Sequence, residues 1–236
     1  MKTALVTGSA LNLGRHLAIN LAKQNMNIAV HYRSNRNAAQ KTLNQVQKIS
    51  KGLLVQADLT DKNEVYSMID KVLEKFKTID ILINLIGSFI YQPIDKTSFE
   101  KFRDVIESNL YSTFLCCQKV LPCMVKEKWG RIINFGCVAA DAITVRKNTT
   151  PYYIAKTGVI MYTKVLAYQY APYNITVNSL SPGILKTSIV KTKTPTNRLA
   201  DFADISNAVN FLLKEESSYI NGANLEISGG WRPGFE

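Results

Sequence analysis

The chain has 236 residues, of which 46% are hydrophobic, and it carries a formal net charge of +11. This length and composition suit a single α/β domain with a large core, and no apolar run is long enough to cross a bilayer. The start "MKTALVTGS" lacks the pattern of a secretory signal, so the sequence predicts a cytoplasmic protein with no membrane partner. Four cysteines without a CxxC pair and only two histidines predict that there is no metal site.

The excess of basic residues would suit an anionic partner such as nucleic acid. However, Lys and Arg are spread along the chain, with only a modest cluster near Lys186–Lys193, and no nucleic-acid-binding motif is present. We interpret the charge as a solvated basic surface and expect no nucleic-acid partner. A phosphorylated cofactor would also fit a local basic pocket.

Apolar strands alternate with amphipathic helices along the chain. The predicted strands are "TALVTG", "NIAVHY", "GLLVQADL", "IDILINLIG", "GRIINFGC", "NITVNSLSPG" and "GANLEISGG". Helical spacing of apolar residues fills the intervals, including one long stretch from about Ser98 to Val125. Continuous apolar strands are typical of a sheet covered on both faces. The order therefore predicts a doubly wound, Rossmann-like parallel sheet of about seven strands, in one domain over residues 1–236.

In such a sheet, ligands bind beyond the carboxyl ends of the strands. The first strand is followed by "TGSALNLGRH", in which Gly8 and Gly14 flank a turn that opens a helix. Free N–H groups and the positive end of the helix dipole suit a diphosphate there. Asn12 stands where a middle Gly of a dinucleotide-binding turn is expected. The alternative is an ordinary Gly-containing βα turn.

The second strand ends at "HYRSNR", which contains Arg33, Ser34, Asn35 and Arg36 but no acid. An acid here usually binds the ribose of NAD, whereas an Arg suits a 2′-phosphate. The stretch thus predicts NADP(H), and an exposed polar loop is the alternative. After the third strand, Asp58 is placed either to accept from an adenine amino group or to cap the next helix.

The stretch "TTPYYIAK" places Tyr152 and Lys156 four residues apart, on one face of a predicted helix. A nearby ammonium favours the phenolate, so Lys156 is predicted to lower the pKa of Tyr152 and make it a usable acid and base. Tyr153 pairs with Thr157 instead. The YxxxK spacing alone is frequent by chance.

The order of these motifs is more specific than any one of them. TGxxxxxG, then D-L, then N-x-x-G, then Asn109 in "ESNLYSTF", then YxxxK, then "SPG" and Thr187 resembles the short-chain dehydrogenase/reductase family. The resemblance runs from Lys2 to "SGG" at Ser228–Gly230. Within the family, "HYRS" and "VQADLT" resemble both the 3-oxoacyl-carrier-protein reductase branch and the pteridine reductase branch.

The resemblance implies a role for each matching residue. Tyr152 would be the catalytic acid and base, Lys156 would hold the nicotinamide ribose and Asn109 would support a water in a proton relay. The implied cofactor contacts are Gly8, Ser9, Asn12, Leu13, Gly14, Arg33, Ser34, Asn35, Asp58, Leu59, Asn84, Gly87, Tyr152, Lys156, Pro182, Gly183, Ile184 and Thr187. The family usually forms dimers or tetramers through its long helices, so a homo-oligomer is expected.

Two departures from the family pattern concern the substrate. Cys137 stands where the family usually has a Ser, and a thiol is a weaker hydrogen-bond donor than a hydroxyl. Cys137 is either a weak catalytic residue or a small buried apolar one. Its spacing to Tyr152 is longer than expected, which could bring Asp141, Thr144, Thr149 or Thr150 into the gap.

The second departure is a shortened substrate loop around residues 188–200. Family members usually carry a helical segment there that covers the substrate. The site is therefore expected to be open, or to be covered by a partner subunit.

Three functions remain after these observations. The first is an NADPH-dependent carbonyl reductase that acts on a small or carrier-bound substrate, similar to 3-oxoacyl-carrier-protein reductases. The second is a pteridine or quinonoid reductase, although Leu11 and Asn12 stand where pteridine reductases place an Arg. The third is a catalytically weak NADP(H)-binding sensor or scaffold, suggested by Cys137 and the short loop.

Overall fold

A single parallel sheet forms the centre of the molecule in the computed structural model, which describes residues 1–142 and 145–233. Its seven strands stand in the order β3-β2-β1-β4-β5-β6-β7, and every neighbouring pair is parallel. The doubly wound fold and the strand number predicted from the sequence are confirmed. The strands are β1 Thr3–Val6, β2 Asn27–Tyr32, β3 Gly52–Gln56, β4 Ile81–Asn84, β5 Gly130–Phe135, β6 Ile175–Pro182 and β7 Asn224–Ile227.

Seven α-helices cover both faces of this sheet in the described ranges. They are α1 Asn12–Lys23, α2 Arg36–Gln47, α3 Lys62–Phe76, α4 Phe99–Ile106, α5 Ser112–Glu127, α6 Thr150–Tyr170 and α7 Phe202–Leu213. Apolar residues of α1, α2 and α7 bury one face, and those of α3, α5 and α6 bury the other. The strands are apolar on both sides because both sides are packed.

The long helix predicted from about Ser98 to Val125 is present, but it is interrupted. A π-helical turn at Glu107–Tyr111 separates α4 from α5. Turns of this kind are rare in proteins, and those that occur are often found at functional sites. This one contains Asn109.

The sheet order creates a crevice between β1 and β4. The chain leaves β1 towards β2 on one side and leaves β4 towards β5 on the other, which is the switch point where such folds bind ligands. After β6, the fully described segment 183–201 contains no helix and only one isolated bridge, between Leu185 and Ala200. No helix of the described chain is long and apolar enough to cross a membrane.

Candidate active site

In the glycine turn after β1, the main chain at Gly14 packs tightly against the main chain at Gly8. Gly8 has a φ of +67°, and a Cβ on Gly14 would lie only 2.3 Å from the Gly8 carbonyl oxygen. Both positions therefore require glycine. Asn12 has a φ of +48°, a left-handed conformation that Asn adopts more readily than most residues. This explains how the turn keeps its shape although Asn replaces the expected middle glycine.

His31 supports this turn, although no sequence motif marks it as a site residue. The Gly8 N–H donates to His31 Nδ1 at 2.9 Å, and His31 Nε2 lies 3.0 Å from the Ala57 carbonyl oxygen. Because Nδ1 accepts, Nε2 carries the proton and donates to Ala57. Burial lowers the pKa of His31 to about 4, so the ring is neutral near pH 7. A histidine inside an apolar strand was the only sequence signal for this role.

Ser9 and Leu13 belong to the same framework. The Ser9 hydroxyl donates to the Val6 carbonyl and accepts from the His31 N–H, each within 3 Å. Leu13 is buried in the core beneath α1. Both side chains therefore point into the protein and hold the turn in place.

The residues after β2 and β3 lie together, as their predicted adenosine role requires. Arg33 Nη1 is 3.8 Å from Asp58 Oδ2, and the Arg33 side chain is 68% exposed, so its guanidinium is accessible to a ligand. Asn35 caps α2 by accepting from the Ala38 N–H at 3.0 Å. Asp61, not Asp58, caps α3, which removes the alternative reading of Asp58.

Two other members of this predicted group differ in exposure. Ser34 is exposed beside Arg33, whereas the Leu59 side chain is buried in the core. Any contact made by Leu59 with a cofactor would therefore come from its main chain.

Asn84 turns its side chain into the protein interior. Its amide donates to Asn134 Oδ1 at 2.9 Å, and the Asn134 amide donates to Thr163 Oγ1 at 2.9 Å. This chain of buried hydrogen bonds joins β4, β5 and α6. The Asn84 side chain is thus engaged in the core, away from its predicted cofactor contact.

Asn109 and Gly87 are in close contact across the crevice. The Asn109 amide donates to the carbonyl oxygens of Ser88 and Val105, both at 2.9 Å. Its Oδ1 is buried and has no hydrogen-bond partner among the described residues. A Cβ on Gly87 would lie 1.9 Å from this Oδ1, so only glycine fits there. An orphaned acceptor at this place is compatible with the predicted support of a water.

Tyr152 and Lys156 share one face of α6, as their spacing predicted. Lys156 Nζ lies 5.5 Å from the centre of the Tyr152 ring, and Phe89 packs edge-on against that ring at 5.0 Å between centroids. Lys156 is 4% exposed and donates to the Phe135 carbonyl oxygen at 2.7 Å. This places the pair at the carboxyl end of β5.

The predicted effect of Lys156 on the Tyr152 pKa is wrong in this structure. Burial raises the pKa of Tyr152 well above its usual value, and burial lowers the pKa of Lys156 to about 8. Loss of water around each group is the largest cause of both shifts. Tyr152 keeps its proton at neutral pH, which suits a proton donor.

Cys137 lies at the start of a tight turn beside the two tyrosines. The Ala140 N–H donates to the Cys137 carbonyl at 3.0 Å, and Ala139 has a φ of +59°. Burial raises the pKa of the Cys137 thiol, although the Tyr153 hydroxyl and the charges of Lys156 and Arg146 act in the opposite direction. Cys137 is therefore a protonated thiol and a weak donor at the position predicted for it.

Two of the four residues expected to fill the gap before Tyr152, Asp141 and Thr150, form hydrogen bonds elsewhere. Asp141 Oδ2 accepts from Asn224 Nδ2 at 3.1 Å, and Thr150 Oγ1 donates to the Arg146 carbonyl at 2.5 Å. Thr149 precedes α6 without a side-chain capping bond. Thr144 lies outside the described residues.

The residues after β6 pack against the end of β7 at the carboxyl edge of the sheet. The Gly183 N–H donates to the Ile227 carbonyl at 3.0 Å, and a Cβ on Gly183 would lie 2.8 Å from Ser228 Cα. Pro182 ends β6, Ile184 is buried and Thr187 is exposed. Thr187 is thus the accessible side chain of the predicted "SPG" group.

Comparison with known proteins is consistent with this geometry. Residues 8–232 match the family model described as Enoyl-(Acyl carrier protein) reductase. The 3-oxoacyl-[acyl-carrier-protein] reductase FabG of Staphylococcus aureus (strain Mu50) is 31% identical, and the match covers 97% of each chain. The enzyme of the same name from Escherichia coli (strain K12) is 32% identical over 97% of this chain and 96% of its own.

A solved structure gives the same result. A protein of Sinorhizobium meliloti 1021, described as a short-chain alcohol dehydrogenase, superposes with a TM-score of 0.90 at 25% identity, over 97% of this chain and 95% of its own. The glycine turn at the switch point and the YxxxK pair agree with these matches. The chain belongs to the short-chain dehydrogenase/reductase family of nicotinamide-dependent oxidoreductases.

Proposed function

We propose that the protein is an NADPH-dependent reductase that converts a carbonyl into an alcohol and is similar to 3-oxoacyl-carrier-protein reductases. The observation that carries the proposal is the position of the half-buried Tyr152 beside the buried Lys156 at the carboxyl edge of the sheet. When bound, the nicotinamide supplies a hydride to the carbonyl carbon. Tyr152 gives its hydroxyl proton to the carbonyl oxygen, so one hydride and one proton make the alcohol.

The surrounding residues bind and orient. The start of α1, which has no side-chain cap, offers main-chain N–H groups to a diphosphate. The Lys156 ammonium donates one N–H to the Phe135 carbonyl, which leaves two N–H donors for ribose hydroxyls. The Cys137 thiol lies beside the tyrosines as a weak donor to the substrate oxygen.

NADPH oxidation with a panel of carbonyls tests the reaction. The panel contains an acetoacetyl thioester, a small diketone and a dihydropteridine, and we expect the thioester or the diketone to be reduced. Reduction of the dihydropteridine alone would support the pteridine reductase instead. Tight NADPH binding without oxidation by any of them would support the sensor.

Arg33 is proposed to select NADPH. Arg33→Asp should raise the Kd of NADPH about 10- to 100-fold, the equivalent of one lost charge-assisted contact, with a much smaller change for NADH. The acid would also repel the 2′-phosphate and sit beside Asp58. Fluorescence titration with both cofactors measures the effect. Arg36→Asp, which changes a neighbouring exposed arginine, is the control. Equal losses for the two cofactors would contradict the assignment.

A second copy of the chain is proposed to cover the outer face of α5 and α6. Apolar side chains stand exposed there, with Met161 68% and Tyr168 89% accessible, beside Phe114 and Val165. Phe114 and Val165 also line a cleft of about 620 Å³. Apolar patches of this kind usually mark protein interfaces. A dimer or tetramer is therefore expected by light scattering, and a molar mass of one chain, 26.4 kDa, would contradict it.

A further inference from the structure

Arg146, in the segment between β5 and α6, holds a charged group close to the candidate active site. Its guanidinium carbon lies 4.7 Å from the centre of the Tyr153 ring, and that ring is 6.2 Å from the ring of Tyr152. Tyr153 is itself fixed, because its hydroxyl donates to the Val138 carbonyl at 3.2 Å. The guanidinium thus lies against the tyrosine that neighbours the proposed proton donor.

One edge of this guanidinium has no partner. Nη1 donates to the Val145 carbonyl at 3.2 Å, whereas Nε and Nη2 are buried and make no hydrogen bond with any described residue. Nε–H and one N–H of Nη2 point in parallel from the same edge of an arginine. This is the fork that binds the two oxygens of a carboxylate.

The nearby acids of the described chain do not fill this fork. Glu226 accepts from the Ala139 N–H at 2.7 Å and from Arg232 Nη2 at 3.3 Å, and Asp141 accepts from Asn224. Arg146 forms no ion pair with any described acid. Leaving charged donors buried and unpaired is unfavourable, so this edge is suited to a ligand.

We infer that the carbonyl substrate carries a carboxylate, so that it is an oxo acid, and that Arg146 binds this carboxylate through Nε and Nη2. The inference rests on the proposed reductase function and specifies its substrate class. Tyr152 faces the carbonyl oxygen while Arg146 fixes the acid end of the same molecule. Because the fork offers two charge-assisted hydrogen bonds, it binds the acid more tightly than the matching uncharged ester.

Matched acids and esters test the inference by binding, without any need for turnover. The probes are acetoacetate, 4-oxopentanoate and 5-oxohexanoate, each compared with its methyl ester. Calorimetric titration is carried out on the protein alone and on the protein saturated with NADP⁺. We expect at least one acid to bind about tenfold or more tightly than its ester. The chain length that binds best reports the span from Tyr152 to Arg146.

Variants assign the preference to this residue. Arg146→Gln should bring acid and ester to equal affinity and leave the affinity for the ester unchanged. Arg146→Lys, which keeps the charge but not the fork, should retain only part of the preference. Lys147→Gln removes an adjacent exposed charge and should change nothing. Thermal unfolding shows whether each variant is folded.

The outcomes separate this inference from the proposed function. Equal binding of acid and ester by the unaltered protein at all three lengths overturns the role of Arg146, even if esters and thioesters are reduced. So does a preference that survives in Arg146→Gln. Absence of NADPH oxidation with every carbonyl would instead overturn the reductase function, and an acid preference in binding would still stand. If Arg146→Gln does not fold, the unaltered protein and Arg146→Lys decide.

Discussion

Tyr152→Phe is expected to lower kcat for carbonyl reduction by about 10²- to 10⁴-fold, the usual contribution of a positioned general acid. The variant keeps the ring that packs against Phe89 but loses the proton that burial retains on Tyr152 at neutral pH. NADPH binding should be unchanged, since the phenol oxygen is one small part of the cofactor contact. Stopped-flow measurement of NADPH oxidation and a fluorescence titration of NADPH give the two numbers.

Tyr153→Phe is the matched control for this experiment. It removes the neighbouring hydroxyl, which donates to the Val138 carbonyl and so holds the segment after β5. We expect less than about a tenfold loss of kcat, because one neutral hydrogen bond contributes only about 0.5–1.5 kcal/mol. The opposite pattern, with Tyr153→Phe inactive and Tyr152→Phe active, would show that the proton comes from the other tyrosine.

Lys156→Met is expected to abolish turnover and yet make the protein more stable at pH 7. Burial lowers the pKa of Lys156 from its ordinary 10.5 to about 8, so charging this lysine in the folded protein is unfavourable. The shift corresponds to about 3 kcal/mol of lost stability below pH 8. Methionine removes that cost but leaves the Phe135 carbonyl without its donor, a loss of about 1–3 kcal/mol. The net expected gain at pH 7 is about 1 kcal/mol.

The dependence on pH identifies the cause. The folded-state pKa of Lys156 is depressed, so the stability of the unaltered protein rises as the pH increases from about 8 towards 10.5. The advantage of Lys156→Met should therefore shrink over that range and reverse near pH 10. Urea unfolding at pH 7 and pH 10 measures it. Lys164→Met, an exposed lysine of the same helix, should show no such change. A deficit at pH 7 that stays constant to pH 10 would contradict the explanation.

The fold could be predicted from the sequence because strands that are apolar on both faces and helices that are apolar on one face leave few arrangements. The same logic placed Tyr152 and Lys156 on one side of α6, since that depends only on helical spacing. The π-helical turn around Asn109 could not be predicted. Its wider hydrogen bonding depends on how α4 and α5 pack, and no residue type specifies it.

The electrostatics of the site also required the three-dimensional structure. The sequence shows a Lys near a Tyr and so predicts attraction, but it does not show how much water each side chain loses on folding. Burial reversed the expected direction for Tyr152. Likewise, Asn84 stands after a strand in the sequence, yet its amide turns towards Asn134 on the neighbouring strand. His31 and Arg146 were missed because their partners, or the lack of them, exist only after folding.

The contact between Gly87 and Asn109 has an evolutionary consequence. A Cβ at position 87 would overlap the Asn109 side chain, with only 1.9 Å to its Oδ1. Position 87 therefore cannot be enlarged while Asn109 is retained. A mutation that enlarges Gly87 displaces the Asn109 amide from the carbonyls of Ser88 and Val105, and it becomes acceptable only after position 109 has shrunk. The two positions, 22 residues apart in the sequence, form one epistatic unit, and mutations there must arrive in a fixed order.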